Sequence, residues 1–208
     1  MLNPESIVYN ADCMDIMKGY PDKYFDLAVV DPPYGIDVTK MNMGSRKTVK
    51  PNKTKIWDSC IPNQLYFHQL FRVSKNQIIW GGNYFNLEPT QCFIIWDKIQ
   101  PENFSSAMCE MAWTNFEKPA KIIRKRVVNS EANKIHPTQK PVKLYEWLLK
   151  NYASEGDKIL DTHLGSGSSR IAADKMGFDF YACELDSEYF EAQEKRFREY
   201  KSQLILFY

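Results

Sequence analysis

The chain has 208 residues, 44% hydrophobic and 25% charged, which is the balance of an ordinary globular domain able to bury a core without disulfides. Lys and Arg number 27 against 26 Asp and Glu, so net charge points to no polyanionic partner and only its distribution can. No apolar run approaches the ~20 residues of a membrane span, MLNPESIVYNAD resembles no secretory leader, and the five cysteines form no metal-binding cluster, so a reducing, cytoplasmic setting without a metal is expected.

Short apolar runs predict buried strands at Phe25–Val30, Gln77–Trp80, Cys92–Trp96, Ala107–Trp113, Lys158–Asp161 and Phe178–Cys183. Helical spacing predicts helices at Pro62–Val73, Val142–Tyr152, Ser168–Met176 and Ser187–Tyr200. The alternation implies an α/β fold, a doubly wound and mostly parallel sheet covered on both faces. Two basic segments interrupt it. Residues 37–57 carry Lys40, Arg46, Lys47, Lys50, Lys53 and Lys55 with no acid between 40 and 55, and residues 116–140 carry Arg124 and Arg126 among seven cations against Glu117 and Glu131. Either is a solvated loop or a phosphate-binding one.

Asp31-Pro32-Pro33-Tyr34 follows the first of the long strands directly. Two prolines cannot continue a ladder, so the chain leaves the sheet at a strand's carboxyl end, where ligands of open α/β sheets bind. A carboxylate, a stiffened backbone carbonyl and an aromatic face suit a planar base bearing an amino group, with two acceptors for its two N–H donors and a ring to stack on. A proline-rich turn is the plain alternative.

Asp161-Thr162-His163-Leu164-Gly165-Ser166-Gly167-Ser168 follows another strand and opens a helix, so its glycines fall where backbone turns tightly against a ligand. Glu184 ends the next strand, where an acid accepts ribose hydroxyls. Arg170 replaces the third glycine of a nicotinamide-type fingerprint, and no GK[ST] follows to make a P-loop.

With these residues in place the chain resembles the S-adenosylmethionine-dependent amino-methyltransferases of DNA. The DPPY element precedes the glycine-rich element, as in the beta arrangement of that family, and the match runs from Val8 to about Phe197. Asn10-Ala11-Asp12-Cys13 resembles the acidic segment that meets the cofactor's adenine. Trp80-Gly81-Gly82-Asn83-Tyr84-Phe85 and Trp96-Asp97-Lys98 resemble blocks of phage-type members, and His136-Pro137-Thr138-Gln139-Lys140-Pro141 resembles the segment enclosing the methionine moiety. The glycine element departs from the family's DPFxGSG, with Thr162 and His163 in place of Pro and Phe.

The resemblance implies a Rossmann-like methyltransferase fold of circularly permuted order, with one antiparallel edge strand. It implies a single domain over residues 1–208, in which 37–57 is a mobile loop closing on DNA and 114–135 a compact target-reading insertion. Catalysis would rest on Asp31, Pro32, Pro33 and Tyr34, the last stacking on a flipped base. S-adenosylmethionine would be held by Asp12, Cys13, Asp31, Thr138, Lys140, Asp161, Thr162, His163, Gly165, Ser166, Gly167, Glu184 and Leu185. Double-stranded DNA would be the substrate and adenine the base, since Asp rather than Ser opens the tetrapeptide; a homodimer and a cognate restriction enzyme are admissible partners. Three other readings stay open: an amino-methyltransferase of cytosine or of RNA, a catalytically silent DNA-binding relative, and a Rossmann oxidoreductase.

Overall fold

The computed structural model describes residues 4–36, 61–102, 107–127, 134–136 and 138–205; the 37–57 loop expectation lies outside them. In chain order the elements are β1 (Ser6–Tyr9), α1 (Cys13–Lys18), β2 (Phe25–Val30), α2 (Gln64–Val73), β3 (Ser74–Trp80), β4 (Ile94–Asp97), β5 (Cys109–Thr114), β6 (Lys121–Arg124), α3 (Val142–Tyr152), β7 (Lys158–Asp161), α4 (Ser168–Met176), β8 (Asp179–Cys183) and α5 (Ser187–Ile205). Among the described residues eight strands join one sheet in the order β1-β8-β7-β2-β3-β5-β4-β6.

Only β5 runs against its neighbours, pairing antiparallel with both β3 and β4. The sequence placed an antiparallel strand at the edge; instead it is internal, and the edge strand β6 is parallel to β4. The link from β4 to β5 is too short for a crossover helix, so the two must pair antiparallel.

Alternation along β2 feeds two cores. Leu27 and Val29 pack with Leu144, Leu148 and Ile171 of α3 and α4, while Ala28 and Val30 pack with Met17, Phe67 and Leu70 of α1 and α2. Each fully buried aliphatic side chain contributes about 1.5–3 kcal/mol, so both helical layers are pinned to the sheet mainly by this burial. Among the described residues no helix is long and apolar enough to cross a membrane.

Candidate active site

The parallel strands β1, β2, β7 and β8 end along one edge, and the turns leaving them wall a cavity of about 560 Å³, within the usual range for a small-molecule site. Asp31 and Pro33 come from the end of β2, Thr162 to Ser166 from the end of β7, Glu184 to Asp186 from the end of β8, and Ala11 to Met14 from the turn into α1. His136, Thr138, Gln139 and Lys140 close one side and Tyr66 of α2 another.

Of the residues expected here, Asp12, Cys13, Asp31, Pro33, Thr138, Lys140, Thr162, His163, Gly165, Ser166, Glu184 and Leu185 line the cavity. Pro32, Tyr34, Asp161 and Gly167 stand behind the wall. Arg124 and Arg126 are exposed beside the edge strand, away from the cavity, and Arg124 pairs with Asp97. Lys40, Arg46, Lys47, Lys50, Lys53 and Lys55 lie outside the described residues.

The glycine turn is held from both ends. Gly165 (φ +52°) and Gly167 (φ +73°) adopt left-handed backbone that disfavours a side chain. The Asp161 carboxylate accepts the His163 amide at 3.0 Å and the Ser169 hydroxyl at 2.6 Å. Glu184 Oε2 accepts the Gly165 amide at 2.8 Å, and Asn10 ties the Glu184 carbonyl back to the end of β1. Burial pushes the Asp161 carboxyl up to about 7 and raises that of Glu184. His136 sits over Gly165 and against the ring of Tyr189, 4.4 Å between centroids, capping the turn.

His163, the departure from the family pattern, lies edge-on to Tyr66 at 5.4 Å, and its Nδ1 meets Thr162 Oγ1, which also meets the Tyr66 hydroxyl. Burial pushes its imidazole down to about 4, so it is a neutral ring near pH 7, filling space as an aromatic would. Arg170 turns inward, pairing with Glu194 at 2.5 Å and lying 3.9 Å over the Phe197 ring, so α4 meets α5 through a guanidinium where dinucleotide folds pack a glycine.

Asp12 caps α1, accepting the Met14 amide at 2.7 Å. Burial, chiefly, pushes the Cys13 thiol up to about 12, leaving it protonated and non-nucleophilic at neutral pH.

Asp31 is held at both oxygens. Oδ1 accepts the Tyr34 hydroxyl at 2.6 Å and Oδ2 the Lys140 ammonium at 2.5 Å. The ring of Tyr34 stacks on Tyr84 at 5.1 Å and 13°, and its carbons occupy the space a Cβ on Gly81 would need. One face of the Tyr34 ring is therefore covered by Tyr84, and a base stacking on that face requires Tyr84 to move. Lys140 also reaches Glu110 Oε2 at 3.0 Å, and Glu110 Oε1 is paired with Lys98 at 2.7 Å.

These groups suit a nucleoside cofactor bearing a cationic centre: carboxylates at Glu184 and Asp31, a tight glycine turn, and a short helix cap. A family model described as DNA methylase matches residues 36–195. The chain belongs to this family. It is 22% identical over 249 residues to the type II methyltransferase M.HinfI of Haemophilus influenzae, covering 93% of this chain and 68% of that protein. To the type II methyltransferase M.BglII of Bacillus subtilis it is 24% identical over 238 residues, covering 88% and 66%. The chain thus spans about two thirds of either relative. The solved structure of an M1.HpyAVI–SAM complex superposes with a TM-score of 0.61 at 22% identity, covering 91% of this chain and 98% of that one. PvuII DNA methyltransferase, cytosine-N4-specific, gives 0.61 at 16% identity, covering 93% and 87%. These likenesses show the fold.

Sequence reasoning missed Glu110, Tyr66, Tyr145 and Tyr189. Glu110 stands on a strand whose neighbours are half-buried, and no motif marks it. Tyr66 and Tyr145 read as ordinary apolar positions of their helices.

Proposed function

We propose that the chain transfers the methyl group of S-adenosylmethionine to the exocyclic amine of adenine in double-stranded DNA at a defined sequence. The reading is carried by one observation: Asp31 faces the same cavity as Glu184 and the glycine turn, so an acceptor for an amine and a nucleoside cradle share one space.

When bound, the cofactor supplies a methyl group already activated by its sulfonium charge. Glu184 accepts ribose hydroxyls, the turn from Thr162 to Ser166 borders the methionine portion with His136 above it, and the turn at Asp12 and Cys13 takes the adenine ring. Each Asp31 oxygen has two lone-pair directions, and Tyr34 and Lys140 take one apiece, so two remain for the amine's N–H groups. Asp31 then orients the nitrogen lone pair and stabilises positive charge growing on it. A base inside a duplex cannot reach Asp31 and is flipped out at a cost of a few kcal/mol. Phosphate contacts from residues 37–57 and from Arg124 and Arg126 offset that cost. Adenine is supported by the Asp at the head of the tetrapeptide, and the beta arrangement by the order of the two elements.

The test is to express the chain in cells lacking adenine and cytosine amine methylation, then combine nucleoside mass analysis with long-read modification mapping. N6-methyladenine in one sequence context is the expected result. N4-methylcytosine replaces the base assignment, and unmodified DNA with retained duplex binding identifies a silent relative.

A further inference from the structure

The chain Asp31–Lys140–Glu110–Lys98 links the candidate catalytic carboxylate to an internal strand that does not touch the cavity. We infer that Lys140, clamped between Asp31 and Glu110, is a positioning residue that fixes the plane of the Asp31 carboxylate for the incoming amine. The inference rests on the role given to Asp31 in the proposed function.

The Lys140 side chain is 3% exposed, and a buried ammonium is tolerated only when paired. Its pairing is doubled. Asp31 Oδ2 and Glu110 Oε2 lie on either side at 2.5 and 3.0 Å, with the Trp80 ring 5.2 Å away as a further wall. Burial pushes the ammonium down, yet the two carboxylates outweigh this and hold it above the ordinary lysine value. Burial pushes Glu110 up, and Lys140 and Lys98 outweigh it, holding that carboxyl down to about 2. Two ammoniums and two carboxylates thus balance beside a cavity meant for a cationic ligand.

Direct cofactor contact, the role the family resemblance implied for Lys140, would set an ammonium against a sulfonium. The geometry turns its charge toward the anions instead. Were Tyr34 its sole partner, the Asp31 carboxylate would be free to rotate; a second donor on the other oxygen fixes both remaining lone pairs. The titratable groups facing Asp31 are Tyr34 on its own turn, Lys140, Tyr145 of α3 and Asp161 of β7, and of these four only Lys140 is a cation.

Lys140→Met tests this in the full chain. With its second donor gone, the Asp31 carboxylate turns about its remaining hydrogen bond to Tyr34, and a crystal structure of the cofactor-free variant shows its plane rotated. At neutral pH kcat falls about 100-fold, as for a misplaced reacting group, with the S-adenosylmethionine Kd within about threefold. Lys140→Arg restores the carboxylate plane and part of kcat. Glu110→Gln, nearly isosteric and remote from the cavity, lowers kcat about tenfold through loss of one charged anchor, and it decides the matter if Lys140→Met does not fold. An unrotated carboxylate, kcat within twofold of the unsubstituted chain in Lys140→Met or Glu110→Gln, or a Kd rising in step with the loss of kcat overturns the inference. An unsubstituted chain that methylates nothing overturns the proposed function instead, and the orientation of the Asp31 carboxylate still judges the role of Lys140.

Discussion

Glu184 accepts the Gly165 amide at 2.8 Å, making the acid at the end of β8 and the glycine turn after β7 one unit. Its other oxygen accepts the Asp186 amide at 3.0 Å, so the carboxylate is fixed before any ribose arrives. Glu184→Ala removes the acceptor that the proposed function assigns to the ribose and slackens the turn together. The Kd for S-adenosylmethionine, measured by calorimetry, rises at least about tenfold. An unchanged Kd would move the ribose contact elsewhere.

Asp31→Ala separates chemistry from binding. Methyl transfer to DNA falls to background while the cofactor Kd stays within about threefold, because the proposed function gives Asp31 the amine and Glu184 the ribose. Retained turnover would remove Asp31 from the mechanism.

Asp161 and His163 oppose each other across pH. Burial raises the Asp161 carboxyl from 3.8 to about 7 and lowers the His163 imidazole from 6.5 to about 4. Between about pH 4 and 6.5 the folded pair carries one proton, on Asp161, and the unfolded pair also carries one, on His163, so their contributions to the pH slope of stability cancel. His163→Phe leaves Asp161 alone, whose contribution is full below pH 3.8 and is lost as pH rises through about 7. Asp161→Asn leaves His163, whose contribution is present above pH 6.5 and is lost as pH falls through about 4. Relative to the unsubstituted chain, the melting temperature of the first variant therefore drops from pH 4 to 7, and that of the second drops on acidification. Three parallel curves would show that the two groups do not titrate in this way.

Gly81→Ala probes the aromatic stack behind Asp31. Gly81 has φ +70°, and an added Cβ would lie 2.2 Å from a Tyr34 ring carbon. Overpacking of this kind costs about 1–3 kcal/mol, and the melting temperature falls by about 3–10 °C in calorimetry. The displaced Tyr34 hydroxyl also leaves Asp31, so kcat drops with stability. An unshifted melting temperature would mean that the ring has room to yield.

How much of this was legible in the sequence depended on local pattern. β2, β7, α3 and α4 appear with the bounds expected, because apolar runs there are punctuated by Asp-Pro, Gly or a helix stop. β1 and β6 have four residues each, and β6 buries only Ile123, so neither shows a period; β6 hides inside a stretch that reads as a basic loop. Asp31, Gly165 and Glu184 are legible because each lies in the turn that leaves a strand. Glu110 is not, since its meaning comes from Lys140 and Lys98, which approach it only once β5 is inserted between β3 and β4. Nor can a sequence show that Tyr84 covers the ring of Tyr34.

Arg170 and Arg196 give the C-terminal helix an architectural duty toward the far side of the molecule. Arg196 donates to the Ser166 carbonyl at 2.8 Å and the Ser168 hydroxyl at 2.9 Å, while Arg170 depends on Glu194 for its counter-charge. Trimming the chain ahead of Glu194 would strand one guanidinium in the interior and unbrace the loop that Arg196 supports. Fusions and tags therefore belong beyond the final turn of α5, and a shortened version would lose its cofactor cradle before it lost its sheet.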